Sequence, residues 1–318
     1  MMPNEKMSTP ALLTAKQKRR DFLTALLSVP FVSFTSQTDT FAVSCNDYGW
    51  NTFYRREGKN WGGADLQQNI AAVAQTGLKA FEPNISDAES ARALVAALGK
   101  YKIAMPSVYI GSELHEPKAI EDSIARIMAI AQVVKSYGTK IIVTNPNPIS
   151  WGEVILKTDY QLDLQAEAME RLGNLLREQN MILAYHIHGV ELKAGAREFH
   201  HVMLNTTPEN VSFCFDVHWI YRGSENSQLA VFDVLKLYGA RVVELHIRQS
   251  HKGVWSETFS AEGDIDYRKL AYALSIAKVK PLIVIEQCLE KGSPETMDAV
   301  AAHKQNLRAA SETFKKLL

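Results

Sequence analysis

The sequence predicts an α/β protein, a single (β/α)8 TIM barrel, on three observations. Eight short apolar runs alternate with eight helical patterns over roughly 270 residues. The runs are near-continuously apolar, as expected of strands buried on both faces of a parallel sheet. Gly77, Gly99, Gly138 and Gly239 stand where helices should end, the usual place for glycine at a helix C-terminus. A doubly wound sheet is the alternative, but no glycine-rich phosphate loop follows any run.

Taken in order, the strand-like runs cover 41–45, 78–82, 103–110, 140–144, 181–187, 211–217, 242–247 and 281–286. Helical patterns fall at 64–76, 87–100, 117–137, 161–179, 194–204, 227–238, 266–277 and 295–317. In 117–137, Ile120, Ile124, Ile127, Met128 and Ile130 keep the 3–4 spacing of one helix face. No internal repeat or low-complexity linker appears, so residues 39–318 are expected to form one catalytic domain.

Residues 1–38 are expected to stand outside it. A basic cluster at 16–20 precedes an apolar stretch from Phe22 to Phe34 that Pro30 interrupts. That is the shape of an export signal, too short for a stable membrane anchor. Arg19-Arg20-Asp21-Phe22-Leu23 resembles a twin-arginine signal, which implies a periplasmic protein. A packed amphipathic helix in a cytoplasmic protein is the alternative.

Composition narrows the function. Thirty-five basic and 35 acidic residues cancel, so no nucleic-acid partner is expected. Three cysteines, Cys45, Cys214 and Cys288, are too few and too scattered for a disulfide scaffold or a thiolate zinc site.

The chemistry collects at strand ends, where a barrel places its active site. The second run ends in Glu82. The fifth ends in Tyr185-His186-Ile187-His188, the sixth in Asp216-Val217-His218. The seventh carries Glu244, His246 and Arg248 at alternating positions, and the eighth ends in Glu286-Gln287. One strand-end histidine is more often a hydrogen-bonded core residue. Four consecutive strands that each end in a ligand-type residue point instead to a metal site. Two carboxylates with two imidazoles suit one divalent ion, Mn²⁺ first, then Co²⁺, Mg²⁺, Fe²⁺ or Zn²⁺. Such an ion polarises a carbonyl and favours proton loss beside it. His115, His200, His201 and His303 are expected at the surface.

The second half of the chain resembles the sugar phosphate isomerase/epimerase family, whose barrel is like that of xylose isomerase. The resemblance rests on Tyr185-His186-Ile187-His188-Gly189-Val190-Glu191, on Phe215-Asp216-Val217-His218-Trp219 with Arg222-Gly223, and on Leu245-His246-Ile247-Arg248. Glu262-Gly263-Asp264-Ile265-Asp266-Tyr267 and Val284-Ile285-Glu286-Gln287 complete it. It implies a metal held by His186, Asp216, His246 and Glu286. Many family members carry Glu where His186 stands, with His two positions on. The resemblance also makes Glu286 a candidate base and His188 a substrate or supporting group. Arginine cannot shuttle protons at neutral pH, so Arg248 is assigned to support of an oxyanion or carboxylate. Glu82 is a candidate general base or acid.

Trp50 and Trp61, in an aromatic segment after the first run, are candidate sugar-stacking residues, with a hydrophobic cover or a homo-oligomer contact as the alternative. His218 and Arg222 are further candidates for substrate contact. The expected function is a metal-dependent isomerase or epimerase acting on a small carbohydrate through an enediolate. The alternatives are a lyase or dehydratase acting on 3-keto-glycosides or inosose-like substrates, a phosphodiester-cleaving barrel, and a non-catalytic carbohydrate-binding barrel.

Overall fold

A computed structural model describes residues 43–318. The expected export signal lies outside the described residues. Seven parallel strands curl in the order β1 (Val43–Cys45), β9 (Leu282–Ile285), β6 (Val242–Ile247), β5 (Val211–Asp216), β4 (Ile182–Tyr185), β3 (Ile141–Thr144) and β2 (Ser107–Tyr109). Every pairing is parallel.

The second expected strand is the one that departs from regularity. Residues 80–84 make only isolated parallel bridges, Asn46↔Glu82 to the residue after β1, and Ala80↔Ala104 and Asn84↔Tyr109 on the other side. The Glu82 amide donates to Cys45 O at 2.8 Å and the Phe81 amide to Ala104 O at 2.9 Å. This segment therefore fills the eighth place and joins the two ends of the sheet into a barrel. Pro83 explains the broken ladder, because it has no amide hydrogen to donate.

Helices cover the outside, packed by their apolar faces. They are α1 (Asp47–Arg56), α2 (Leu66–Gln75), α3 (Ala88–Lys100), α4 (Pro117–Lys135), α5 (Asp159–Glu178) and α6 (Lys193–Leu204). A short α7 (Val217–Gly223), then α8 (Gln228–Tyr238), α9 (Tyr267–Ile276) and α10 (Ala299–Phe314) complete the set. Side-chain caps fix where several begin. Asp87 and Thr158 build capping boxes on α3 and α5, and Pro117 opens α4, all expected starts. Gly77 and Gly138 take positive φ after α2 and α4, as expected. Gly99 instead stays inside α3, and Lys102 takes the positive φ after it.

The expected loop after the first strand is mostly helix α1. It lies so close to the end of β9 that a Cβ on Gly49 would meet Gln287 O at 2.8 Å. After β6 a hairpin, β7 (Ser250–His251) with β8 (Val254–Trp255), turns through Lys252 and Gly253, both at positive φ, as tight hairpin turns require. Among the described residues no helix is long and apolar enough to cross a membrane.

Candidate active site

The C-terminal ends of β4, β5, β6 and β9 bring His186, Asp216, His246 and Glu286 together. One ligand-type atom from each lies within 4.8 Å of the others. Three are 1% exposed and Glu286 is 8% exposed. Strand register does this: Asp216 pairs with His246, and His246 with Val284, two residues before Glu286. His186 Nε2 stands 3.5 Å from Asp216 Oδ2, and His246 Nδ1 stands 3.2 Å from Glu286 Oε2.

Asp216 divides its two oxygens between fold and site. Oδ1 accepts the Trp219 amide at 2.7 Å and caps α7, while Oδ2 faces His186. Both ring nitrogens of His186 are buried without a hydrogen-bond partner. An imidazole so placed costs free energy unless something binds it, and a metal ion is the partner its chemistry fits. The donor set of two carboxylates and two imidazoles fits a divalent ion by the same reasoning.

Arg248 joins the cluster. Its Nη2 is 2.8 Å from Glu286 Oε2 and 3.4 Å from Asp216 Oδ2. Its guanidinium lies 4.5 Å from the Trp255 ring centroid and 5.3 Å from that of Trp219. Hairpin β7–β8 supplies Trp255, and the Tyr267 hydroxyl donates to Arg248 O at 2.6 Å, fixing the backbone. Burial alone would raise the Glu286 carboxyl; the Arg248 guanidinium together with His246 and His186 more than offsets that and holds it well below the usual carboxylate range.

Beneath this cluster, inside the barrel, His246 Nε2 stands 2.9 Å from Glu244 Oε1 and 3.1 Å from Glu82 Oε1. Glu82 also accepts from Asn46 Nδ2 at 2.6 Å and Ser107 Oγ at 2.8 Å. Burial and the neighbouring Glu82 raise the Glu244 carboxyl well above its ordinary value. Glu82 is also opposed by burial, but His246, with hydrogen bonds from Glu244 and Asn46, brings it down to about 2. With Nε2 engaged below, Nδ1 is the His246 nitrogen that faces the cluster.

Several expected contact residues sit elsewhere. Glu82 is fully buried under His246 and does not reach the mouth as a base. Trp50 is fully buried, stacked 4.0 Å from the His303 ring and 5.6 Å from Trp61, so it offers no face to a sugar. Trp61 is half-buried and packs edge-on against Tyr54. Arg222 is committed to Glu290 through bonds of 2.8 and 2.9 Å. His218 is buried, its Nε2 2.9 Å from Ser250 Oγ. His303 and His115 are buried rather than surface residues.

His188 remains at the mouth, half-buried, its ring 4.9 Å from His186. Burial and the neighbouring His186 lower its pKa to about 3, so it is neutral at neutral pH. Glu191 accepts the His188 amide at 2.8 Å and Asn145 Nδ2 at 2.9 Å, which sets this loop.

Sequence reasoning missed Asp47, two residues after β1 at the start of α1, though the strand-end rule applied to it as well. Asp47 Oδ2 accepts the Asn84 amide at 2.9 Å. Burial, with added repulsion from Glu82 and Glu286, raises its carboxyl to about 7. It also missed Gln249, and gave Gln287 no role beyond its place at the end of the eighth run. The Gln249 amide donates to Gln287 Oε1 at 2.8 Å, and Gln287 Nε2 donates to Gln249 O at 3.1 Å. These bonds tie together the loops after β6 and β9.

Comparison with known proteins agrees with this architecture. An inosose dehydratase from Clostridium perfringens is 24% identical over 249 residues, which cover 70% of this chain and 82% of that protein. A sugar phosphate isomerase/epimerase from Parabacteroides distasonis superposes with a TM-score of 0.65 at 14% identity, over 91% of this chain and 99% of that one. A xylose isomerase-like TIM barrel protein from Mycobacterium smegmatis, in complex with magnesium, gives 0.63 at 14% identity, over 88% and 98%. Residues 70–315 match the xylose isomerase-like TIM barrel family, and the chain belongs to that family.

Proposed function

We propose that this chain is a divalent-metal-dependent carbohydrate enzyme that removes a proton from the carbon next to a carbonyl. The observation that carries this is the convergence of His186, Asp216, His246 and Glu286 within 4.8 Å. These four would hold the ion. Mn²⁺ is the best chemical match, with Co²⁺, Mg²⁺, Fe²⁺ and Zn²⁺ as alternatives. When bound, the ion would act as a Lewis acid on the substrate carbonyl.

The protein's own groups divide the remaining work. Glu286, kept ionised by Arg248 and the neighbouring histidines, is the proton acceptor. Arg248 supports negative charge growing on the substrate oxygen. His188, neutral, hydrogen-bonds a substrate hydroxyl. Asp47 and Glu286 are two carboxyls whose environments push their proton affinities apart, the pattern of an acid and base pair.

Return of the proton to a new position gives isomerisation or epimerisation. Loss of a β-substituent instead gives elimination. The burial of Glu82 favours this second reading, since it removes one carboxylate that a two-base epimerisation would use. The 24% identity to an inosose dehydratase favours it as well.

The test is proton exchange in D2O. The Mn²⁺-loaded protein would be incubated with keto-sugars, inososes and 3-keto-glycosides and followed by NMR. Deuterium should enter beside the carbonyl of a substrate, and Glu286→Gln should stop it. Binding of sugars with no exchange in any of them would make the chain a carbohydrate-binding barrel instead.

Export by the twin-arginine route is part of this proposal, resting on Arg19 and Arg20 before the apolar stretch. Cell fractionation with both arginines changed to lysine tests it. An unchanged distribution between periplasm and cytoplasm would contradict it.

A further inference from the structure

A run of exposed apolar residues beside the mouth lies on a different loop from the one the sequence favoured. Trp50 is buried, but residues 149–156, between β3 and α5, expose Ile149, Trp151, Val154, Ile155 and Leu156. These are five of the fourteen large apolar side chains exposed among the described residues. Trp151 is 64% exposed and Val154 is 64% exposed. The hydrogen bonds that residues 148–156 make are internal to the loop. Ser150 Oγ accepts the Gly152 and Glu153 amides at 3.1 and 3.2 Å, and Glu153 O accepts the Ile155 amide at 3.0 Å.

Exposed large apolar side chains gathered in one loop point to a binding surface. Its position says for what. The Trp151 ring stands 5.1 Å from His188, perpendicular to it, and His188 stands 4.9 Å from His186. Trp151 therefore stands two ring contacts from the candidate metal ligand His186, with the half-buried His188 between them. His188 also meets Trp219 at 5.4 Å, so the histidine stands between two indoles. One charged residue, Glu153, falls within 149–156. A second copy docked on this loop would cover the mouth that Trp151 borders, whereas a substituent of the substrate would reach the loop from within the mouth.

We infer that residues 149–156 form a subsite for the apolar substituent of a glycoside, with Trp151 as its stacking face. This rests on the reading of the mouth as a carbohydrate site and deepens it. The preferred substrate is a sugar carrying an aryl or similarly apolar aglycone, not a free monosaccharide. The aglycone stacks on Trp151 and excludes water from Val154 and Ile155.

The probes are phenyl and methyl D-glucopyranosides, both anomers, titrated against wild type and Trp151→Ala by saturation-transfer NMR and calorimetry. For one anomer at least, the phenyl glycoside should bind wild type about 5- to 10-fold more tightly than the methyl glycoside. Trp151→Ala should erase that gap and leave methyl glycoside binding unchanged. A gap absent in wild type, a gap surviving in the variant, or no binding of either glycoside would overturn the inference. So would a wild-type dimer that Trp151→Ala turns into monomers on analytical ultracentrifugation. These titrations need no metal, so metal binding measured separately on wild type tells failure of the metal reading from failure of the subsite.

Discussion

Arg248 Nη2 lies 2.8 Å from Glu286 Oε2, so a permanent cation is hydrogen-bonded to a residue that is also a candidate metal ligand. The same nitrogen is 3.4 Å from Asp216 Oδ2. In this protein the guanidinium offsets part of the repulsion between two buried carboxylates. It also sets a preference for the ionised form of Glu286, the form that accepts a proton.

Removing that charge should weaken the metal-free protein. Arg248→Met leaves both carboxylates without their guanidinium, and losing one partner of a buried pair costs about 3–5 kcal/mol. The melting temperature should fall, and Mn²⁺ should raise it further in the variant than in wild type. Scanning fluorimetry with and without Mn²⁺ measures both. Equal metal responses would show that Arg248 and the ion do not act on the same carboxylates.

The buried pair beneath His246 should tune the site at a distance. Glu244→Gln and Glu82→Gln keep shape but weaken the hold on Nε2. Groups that orient a metal-binding histidine typically contribute about 10- to 100-fold to affinity. Each variant should therefore lose about 10-fold or more in Mn²⁺ affinity by competition with a chelator. Unchanged affinity with a native circular dichroism spectrum would limit the pair to packing.

His303 gives a pH signature independent of the site. Burial lowers its pKa from 6.5 to about 4, against a hydrogen bond to Ala299 O at 2.7 Å. A base depressed in the folded state favours folding above pH 6.5, and that contribution is lost as pH falls towards 4. The size is about 3 kcal/mol. His303→Phe should flatten that part of the stability profile between pH 6.5 and 4 in urea melts. A profile parallel to wild type would contradict it.

Trp50 should act on stability and not on substrate affinity. Trp50→Ala opens a cavity against His303 and Trp61, at a cost of about 3–5 kcal/mol. A raised KM with unchanged stability would return Trp50 to the mouth.

Much of this was legible in the sequence, and the reasons differ by residue. Apolar runs located seven regular strands, because burial on both faces leaves a plain signal. The run at 78–82 also read as a strand, and Pro83 directly after it breaks the ladder. The cluster of His186, Asp216, His246 and Glu286 was legible because four successive strands end in ligand-type residues, and the family resemblance implies this set among them. Roles that depend on register across strands were not. Glu82 and Glu244 are polar residues on barrel strands, and whether each faces the mouth or the interior is set by stagger between neighbours. Trp50 and Arg222 were misplaced for a similar reason, since their partners His303 and Glu290 are far away in sequence. Trp151 stood in plain view, but a lone tryptophan in a loop carries no signal until its neighbour His188 is known.

A metal centre built from four strand ends is tested most directly by elemental analysis of purified wild type beside Asp216→Asn and Glu286→Gln. Both substitutions remove a ligand's charge, and the amide oxygen that Asp216→Asn introduces can still cap α7. About one Mn, Co, Mg, Fe or Zn per wild-type chain is expected, and much less in both variants. No metal in wild type, and none taken up from added Mn²⁺ or Co²⁺, would contradict the metal centre.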